Sequence, residues 1–128
     1  MKMNRQIFDP EETGLRKMLK DWEELTLRCV WSFGEEGATS GDVWKAVNET
    51  LSESDRSISR ASICFFLDDM VELGVLGYTM ETGKGGWHRR YAPFLDERGY
   101  IKHVIKTNLE SMLRDFPTET REALKDNF

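Results

Sequence analysis

The spacing of the apolar residues changes twice along the chain, and this feature constrains the fold more than any other. From Leu15 to Leu73, apolar residues recur about every 3.6 positions in three segments. From Val75 to Phe94 the period falls to about two, and aromatic and branched residues predominate. Helical spacing then returns and continues to Phe116. We therefore expect three helices, a β-hairpin and a further helix, in that order.

Local signals predict where the first two helices begin and end. The first helix is predicted from Leu15 to Gly34, because glycine accepts the backbone conformation of a C-terminal cap. A very short strand is expected at 38–39. Ser40 then suits the N-cap of a second helix at 41–51, since its hydroxyl can accept a backbone N–H of the first turn.

The later elements have comparable signals. Ser59 is expected to cap the third helix, 60–73. The hairpin strands are predicted at 75–81 and 87–94, joined by the glycine-rich segment 83–86.

The fourth helix is predicted to open at Asp96 and Glu97 and to end at Pro117. One or two further turns, with Thr118 as their cap, are expected between Thr118 and Asn127.

The chain length predicts one folded domain with appended segments. With 128 residues it can bury a core without metal or disulfide staples. We expect an N-terminal arm at 1–14, a folded domain at 15–95 and a helical segment at 96–128. Cys29 and Cys64 are expected to be unpaired buried thiols in a reducing cytoplasm. No apolar run approaches the ~20 residues of a membrane span, and no secretory signal is expected.

Charge is distributed unevenly. The net charge is −5, which by itself disfavours nucleic acid as a partner. Two short segments, 56–65 and 82–90, nevertheless contain five basic residues and no acid. They coincide with the start of the third helix and with the hairpin.

Three helices followed by a hairpin is the order of the winged helix-turn-helix, in which the third helix enters the DNA major groove and the hairpin wing touches phosphates. The basic segments fall on these two elements, so double-stranded DNA is the expected partner. The candidate DNA-binding residues are Arg56, Ser59, Arg60, Ala61, Ser62, Phe65, Lys84, His88, Arg89 and Arg90. Phe65 has two readings: an exposed group that meets a thymine methyl, or a side chain packed on the preceding loop.

Several short motifs resemble a known family. The first two are the segments 27–31 (Leu-Arg-Cys-Val-Trp) and 38–43 (Ala-Thr-Ser-Gly-Asp-Val). The others are two sets of spaced residues: Ile63, Leu67, Met70, Gly74 and Leu76, and then Gly86, Tyr91 and Pro93. In this order and spacing they resemble the penicillinase-repressor family of winged-helix transcriptional regulators, over about 25–105. The resemblance implies a repressor that acts as a homodimer on an inverted-repeat operator.

The chain departs from that family's pattern in three places. The usual wing motif Gly-Arg-x-Tyr is here Gly-Trp-His-Arg at 86–89, which displaces the phosphate-contacting arginine to Arg89 or Arg90. Asp69 stands where family members often carry a base. The C-terminal segment is short for the family, so we make no prediction of derepression by cleavage within it.

The last helix carries an apolar stripe with no evident partner in a closed winged helix. It comprises Ile101, Val104, Ile105, Leu109, Met112, Leu113 and Phe116. We expect a second copy to cover it, so that two recognition helices lie about 34 Å apart on successive major grooves. The alternative is a monomer in which this helix folds back onto Leu15, Leu19 and Trp22.

Other function classes find little support in the sequence. Two scattered histidines and two cysteines make no catalytic or metal signature, so neither an enzyme nor a cofactor is expected. Trp22, Trp31 and Trp44 are expected in the core rather than around a ligand pocket. The serious alternative is a winged helix that binds protein within a transcription or chromosome-partition complex. The excess of acidic residues outside the two basic segments favours this alternative.

Overall fold

A computed structural model describes residues 8–127. Residues 1–7 and Phe128 fall outside this part of the chain, and with them the first half of the arm predicted at 1–14. The chain divides into two compact units, with the boundary between Asp96 and Glu97.

The first unit contains three α-helices and a small sheet. After a short 3₁₀ helix at Gly14–Lys17 come α1 (Asp21–Phe33), β1 (Ala38–Thr39), α2 (Ser40–Ser52), α3 (Arg60–Glu72), β2 (Leu76–Gly83) and β3 (Gly86–Pro93). Helix α2 packs against both α1 and α3. The three strands form an antiparallel sheet in the order β1-β3-β2. This arrangement is a winged helix-turn-helix, and it confirms the predicted mainly helical fold with a β-hairpin.

The prediction of one long first helix was wrong at its N-terminal end. Lys20 is extended, and α1 begins only at Asp21. The carboxylate of Glu23 accepts the backbone N–H of Lys20 at 2.8 Å, which satisfies a backbone donor at the N-cap and favours a helix start at this point. Leu15 and Leu19 are nevertheless buried. Leu15 lies in the 3₁₀ helix and Leu19 in the turn that follows it, so their spacing reflected burial rather than one continuous helix.

The predicted starts of α2 and α3 are close to those observed. Thr39, rather than Ser40, caps α2: its hydroxyl accepts the N–H of Asp42, and the Asp42 carboxylate accepts the N–H of Thr39, both at 3.1 Å. Ser59 caps α3 as predicted, since its hydroxyl accepts the N–H of Ser62. A reciprocal cap such as that of Thr39 and Asp42 satisfies two backbone donors that would otherwise be left unpaired.

The predicted hairpin and the very short strand are both confirmed. Strands β2 and β3 pair in register from Leu76 opposite Pro93 to Gly83 opposite Gly86. Strand β1 adds to the other edge of β3, with Ala38 opposite Tyr91.

Three of the four tryptophans of the first unit are half-buried and have structural roles. Trp22 meets Phe66, a fully buried side chain of α3, edge to face at 5.7 Å between ring centroids. Trp31 donates its ring N–H to the carbonyl of Leu95 at 2.9 Å. Trp44 donates to the carbonyl of Ile58 at 3.0 Å, which holds the loop before α3. The two cysteines are unpaired as expected, but they are half-buried rather than buried.

The second unit consists of α4 (Glu97–Asp115) and α5 (Pro117–Asn127), which pack on each other. Pro117 ends the fourth helix as predicted, yet it also opens an eleven-residue helix where one or two turns capped by Thr118 were expected. Within the described part of the chain, Tyr100 is the one buried residue of α4, and α5 has none. No helix between residues 8 and 127 is long and apolar enough to cross a membrane.

Candidate nucleic-acid interface

The N-terminal half of α3 presents an exposed surface without acidic residues. Arg60 and Ala61 are exposed, and the first turn contains no carboxylate. Phe65 is 69% exposed, which decides between its two readings in favour of a solvent-facing side chain. Ser59 and Ser62 are occupied with each other, since the Ser59 hydroxyl donates to Ser62 Oγ at 3.0 Å and also caps the helix.

Arg60 extends from α3 towards the start of α2. Its Nη2 atom lies 3.4 Å from Ser40 Oγ, and its guanidinium passes over Gly41, where an added Cβ would come within 3.1 Å of it. No carboxylate pairs with Arg60 among residues 8–127. Its charge therefore remains available to an anionic ligand.

The wing has two faces of different character, because successive residues of a strand point to opposite sides. The face towards α3 is identified by Arg89 and Tyr91, which both reach Asp68 of that helix. The register places on the same face Tyr78, Met80, Thr82 and Trp87. The opposite face carries Thr79, Glu81, His88 and Arg90.

Asp68 ties the wing to α3. Its Oδ1 atom accepts hydrogen bonds from the Tyr91 hydroxyl and from Arg89 Nη1, the latter at 3.1 Å. Burial, followed by the hydrogen bond to Asp68, raises the pKa of Tyr91 well above its usual range. The Arg89 guanidinium also lies 3.9 Å from the centre of the Tyr78 ring. Arg89 is thus held from two sides and positions the wing.

On the opposite face Glu81 holds two of the predicted DNA-binding residues. It accepts two hydrogen bonds from Arg90, at 2.8 and 3.0 Å, and lies 2.9 Å from His88 Nε2. The hydrogen bonds from Arg90 and His88 lower the pKa of Glu81 to about 2. Arg90 also donates to the carbonyl of Gly37 at 3.3 Å. These contacts fix the base of the wing against the turn before β1.

Arg56 is paired in the same way, with Asp21 at the start of α1 through both terminal nitrogens. The hydrogen bond from Arg56 holds the pKa of Asp21 below its usual range. Lys84, in contrast, is exposed in the turn of the hairpin. It has no ion-pair partner in the described part of the chain.

Sequence reasoning located the basic residues but missed the carboxylates that pair with them. Asp21 lies 35 positions from Arg56, and Asp68 lies 21 positions from Arg89, so only the folded chain brings them together. Glu81 could have been found, because a hairpin closed at 83–86 places it opposite His88. Strand alternation could also have revealed the apolar face of the wing.

In the second unit, much of the predicted dimer stripe faces solvent. Four of its side chains, Ile105, Leu109, Met112 and Phe116, are between 36% and 56% exposed. The other three, Ile101, Val104 and Leu113, are half-buried. An open groove between α4 and α5 continues this apolar surface. Its apolar lining is Leu109, Met112, Phe116, Ala123 and Leu124.

Comparisons with known proteins bear on the fold. No protein-family model matches the chain, and no curated protein matches it. A solved structure of the Aeropyrum pernix Orc1 protein in complex with DNA is similar, with a TM-score of 0.56 and 15% sequence identity over 74% of this chain. The match covers 26% of the Orc1 chain, so this chain spans about a quarter of its length. Membership of the penicillinase-repressor family stays a prediction.

Proposed function

We propose that this chain binds double-stranded DNA through α3 and the wing, and that it acts as a sequence-specific transcriptional regulator, a repressor in homodimeric form. The observation that carries the proposal is the exposed, acid-free N-terminal half of α3, together with two exposed cations, Arg60 at its start and Lys84 in the hairpin turn, that have no carboxylate partners in residues 8–127. The similarity to a protein whose structure is a complex with DNA supports it.

Helix α3 has the properties that a recognition helix requires at its N-terminal end. The helix dipole and the unpaired N–H groups of the first turn attract phosphate. Ala61 and Phe65 supply apolar groups of the kind that meet thymine methyls in the major groove. Glu72 lies near the other end of the helix, away from the phosphates that would contact the first turn.

The ion pairs divide the predicted DNA-binding residues into two groups. Arg56, Arg89 and Arg90 are neutralised by Asp21, Asp68 and Glu81. We assign to them the positioning of α3 and the wing. Arg60 and Lys84 are assigned the phosphate contacts, one at the start of α3 and the other in the turn of the wing.

The homodimer part of the proposal rests on the second unit. At about 31 residues, α4 and α5 are too small to bury a core of their own, since units below ~40 residues usually need disulfide bonds, a metal or a partner chain. Their solvent-facing stripe and groove are apolar, and a two-fold copy is the commonest way to cover such a surface. The dimer would present two copies of α3 to an inverted repeat.

Duplex binding is tested by fluorescence anisotropy at about 50 and about 200 mM salt. Affinity should fall steeply with salt, because each phosphate that the protein neutralises releases counterions. The variant with Arg60→Ala and Lys84→Ala should lower the salt slope by about 2, because each substitution leaves one phosphate without its cation. Lys125→Ala in α5 is the matched control and should leave the slope unchanged. Absence of binding at both salt concentrations would contradict the proposal.

A second candidate, binding of a protein partner, is favoured by the same ion pairs. With its arginines neutralised, the wing presents Tyr78, Met80 and Trp87 to solvent. Such a surface suits an apolar partner, whose binding would be insensitive to salt. The salt dependence therefore separates the two candidates.

A further inference from the structure

The face of the wing towards α3 has an apolar surface that duplex binding by α3 does not use. We call it the aromatic wing face and define it as Tyr78, Met80 and Trp87, which are 42%, 50% and 69% exposed. An exposed tryptophan is costly to leave in water, and three large apolar side chains on one face of the two-stranded hairpin form a continuous patch rather than isolated exceptions.

The register makes this patch contiguous. Met80 lies directly opposite Arg89, and Trp87 is two residues along the strand from Arg89 on the same face. Diagonal neighbours of this kind in an antiparallel pair lie about 7 Å apart, within reach of an aromatic ring. Tyr78 follows on the same strand face as Met80, so the three side chains form a row from the sheet towards the hairpin turn.

The patch is held in place at its Tyr78 end. The Arg89 guanidinium lies over the Tyr78 ring at 3.9 Å and is fixed by Asp68. A planar cation on an aromatic ring is the arrangement on which a nucleobase can also stack. At the other end, the Trp87 ring makes no aromatic or cation–π contact with any of residues 8–127.

The charge around the aromatic wing face favours a nucleic acid over an apolar protein segment. Lys84 lies in the adjoining turn. The nearest carboxylates are occupied: Glu81 points to the opposite face and holds Arg90, while Asp68 is bound to Arg89. An apolar peptide has no need of an uncompensated cation beside it, whereas a base arrives with its phosphate.

We propose that the aromatic wing face stacks unpaired bases adjoining the duplex that α3 holds, with Trp87 as the principal stacking side chain. This inference rests on the proposed duplex binding. Base stacking on aromatic side chains is tolerant of sequence, because every base has a π face. The wing would therefore favour DNA with locally opened base pairs, whatever sequence α3 selects.

The test compares two duplexes of the same sequence, one fully paired and one with three unpaired positions at its centre, by anisotropy with the full chain. The intact protein should bind the opened duplex about tenfold more tightly, the size expected for one stacked base. Trp87→Ala should remove this preference and leave the affinity for the paired duplex unchanged. Trp87→Phe should retain most of it, whereas Trp87→Leu, which is apolar without a ring, should not.

A fluorescent base analogue at an unpaired position gives an independent readout, because stacking on Trp87 quenches its emission. Phe94→Ala is the matched control, since Phe94 is 75% exposed outside the wing. Equal affinity for both duplexes, unaffected by Trp87→Ala, would overturn the inference and leave the proposed function standing. Failure to bind either duplex would remove both. Binding of an apolar peptide at Trp87 without DNA binding would assign the face to a protein partner and overturn the inference.

Discussion

At the scale of single residues, Glu81 changes the interpretation of the wing most. A count of basic residues places Arg90 and His88 among the cations that meet DNA, whereas the folded hairpin joins both to one carboxylate. The number of basic residues in a segment is therefore a poor measure of its available charge. The basic segments could be predicted because charge is local in sequence, but the pairs with Asp21 and Asp68 could not, because they depend on the packing of distant elements.

The Glu81 ion pair predicts a pH dependence of stability. The pKa of Glu81 falls from 4.5 to about 2 on folding, so its ionised form stabilises the folded chain at pH values above 4.5. This contribution should be lost progressively as the pH falls from 4.5 towards about 2. The free energies of urea unfolding of the intact chain and of Glu81→Gln should differ at about pH 5, and the difference should shrink as the pH is lowered from there. A difference that does not change with pH would contradict this assignment.

At the scale of elements, the period of apolar residues predicted the number, kind and order of helices and strands up to α4. Its failure at the start of α1 has a simple cause: Leu15, in the 3₁₀ helix, and Leu19, in the turn before α1, are both buried, so burial continued where the α-helix did not. The boundary depended instead on the capping contact of Glu23 with Lys20. Thr39 and Ser40 are both suitable caps by residue type, and only the backbone conformation separates them.

The turn between α1 and β1 depends on Gly37. Its φ is 75°, and an added Cβ would lie 2.5 Å from the carbonyl oxygen of Tyr91 in β3. Gly37→Ala should therefore destabilise the chain by roughly 1–3 kcal/mol or more, from backbone strain together with this clash. Gly34→Ala is the matched control: its φ is 66°, but an added Cβ would meet nothing within 4 Å. Urea titration should rank Gly37→Ala as the less stable variant, and equal losses would rule out the clash.

At the scale of the whole molecule, the sequence predicted a winged helix and a separate apolar helix, because both depend on patterns within the chain. The proposed assembly is harder to predict from the sequence, because it depends on which surface of the folded chain would contact another molecule. Ile105 and Phe116 are exposed on the surface that the proposed assembly would cover, and α5 extends this apolar surface beyond the predicted stripe.

The homodimer predicts how substitutions on α4 act. Ile105→Asp with Leu109→Asp should convert a dimer into a monomer in light scattering at micromolar concentration, because an unpaired carboxylate is poorly tolerated in an apolar interface. Operator affinity should fall while the circular dichroism of the winged helix is retained. Thr107→Asp, on an exposed polar position of the same helix, should leave the dimer intact. An intact chain that is already monomeric would refute the assembly.

Whether α3 and the wing form a duplex DNA interface is best measured by amide NMR of the full chain during titration with duplex DNA. We expect the largest shifts on Ser59, Ala61 and Phe65 in α3 and on Lys84 in the hairpin turn, and little change in α5. Shifts that avoid the N-terminal half of α3, or no shifts with excess duplex at about 50 mM salt, would contradict the interface.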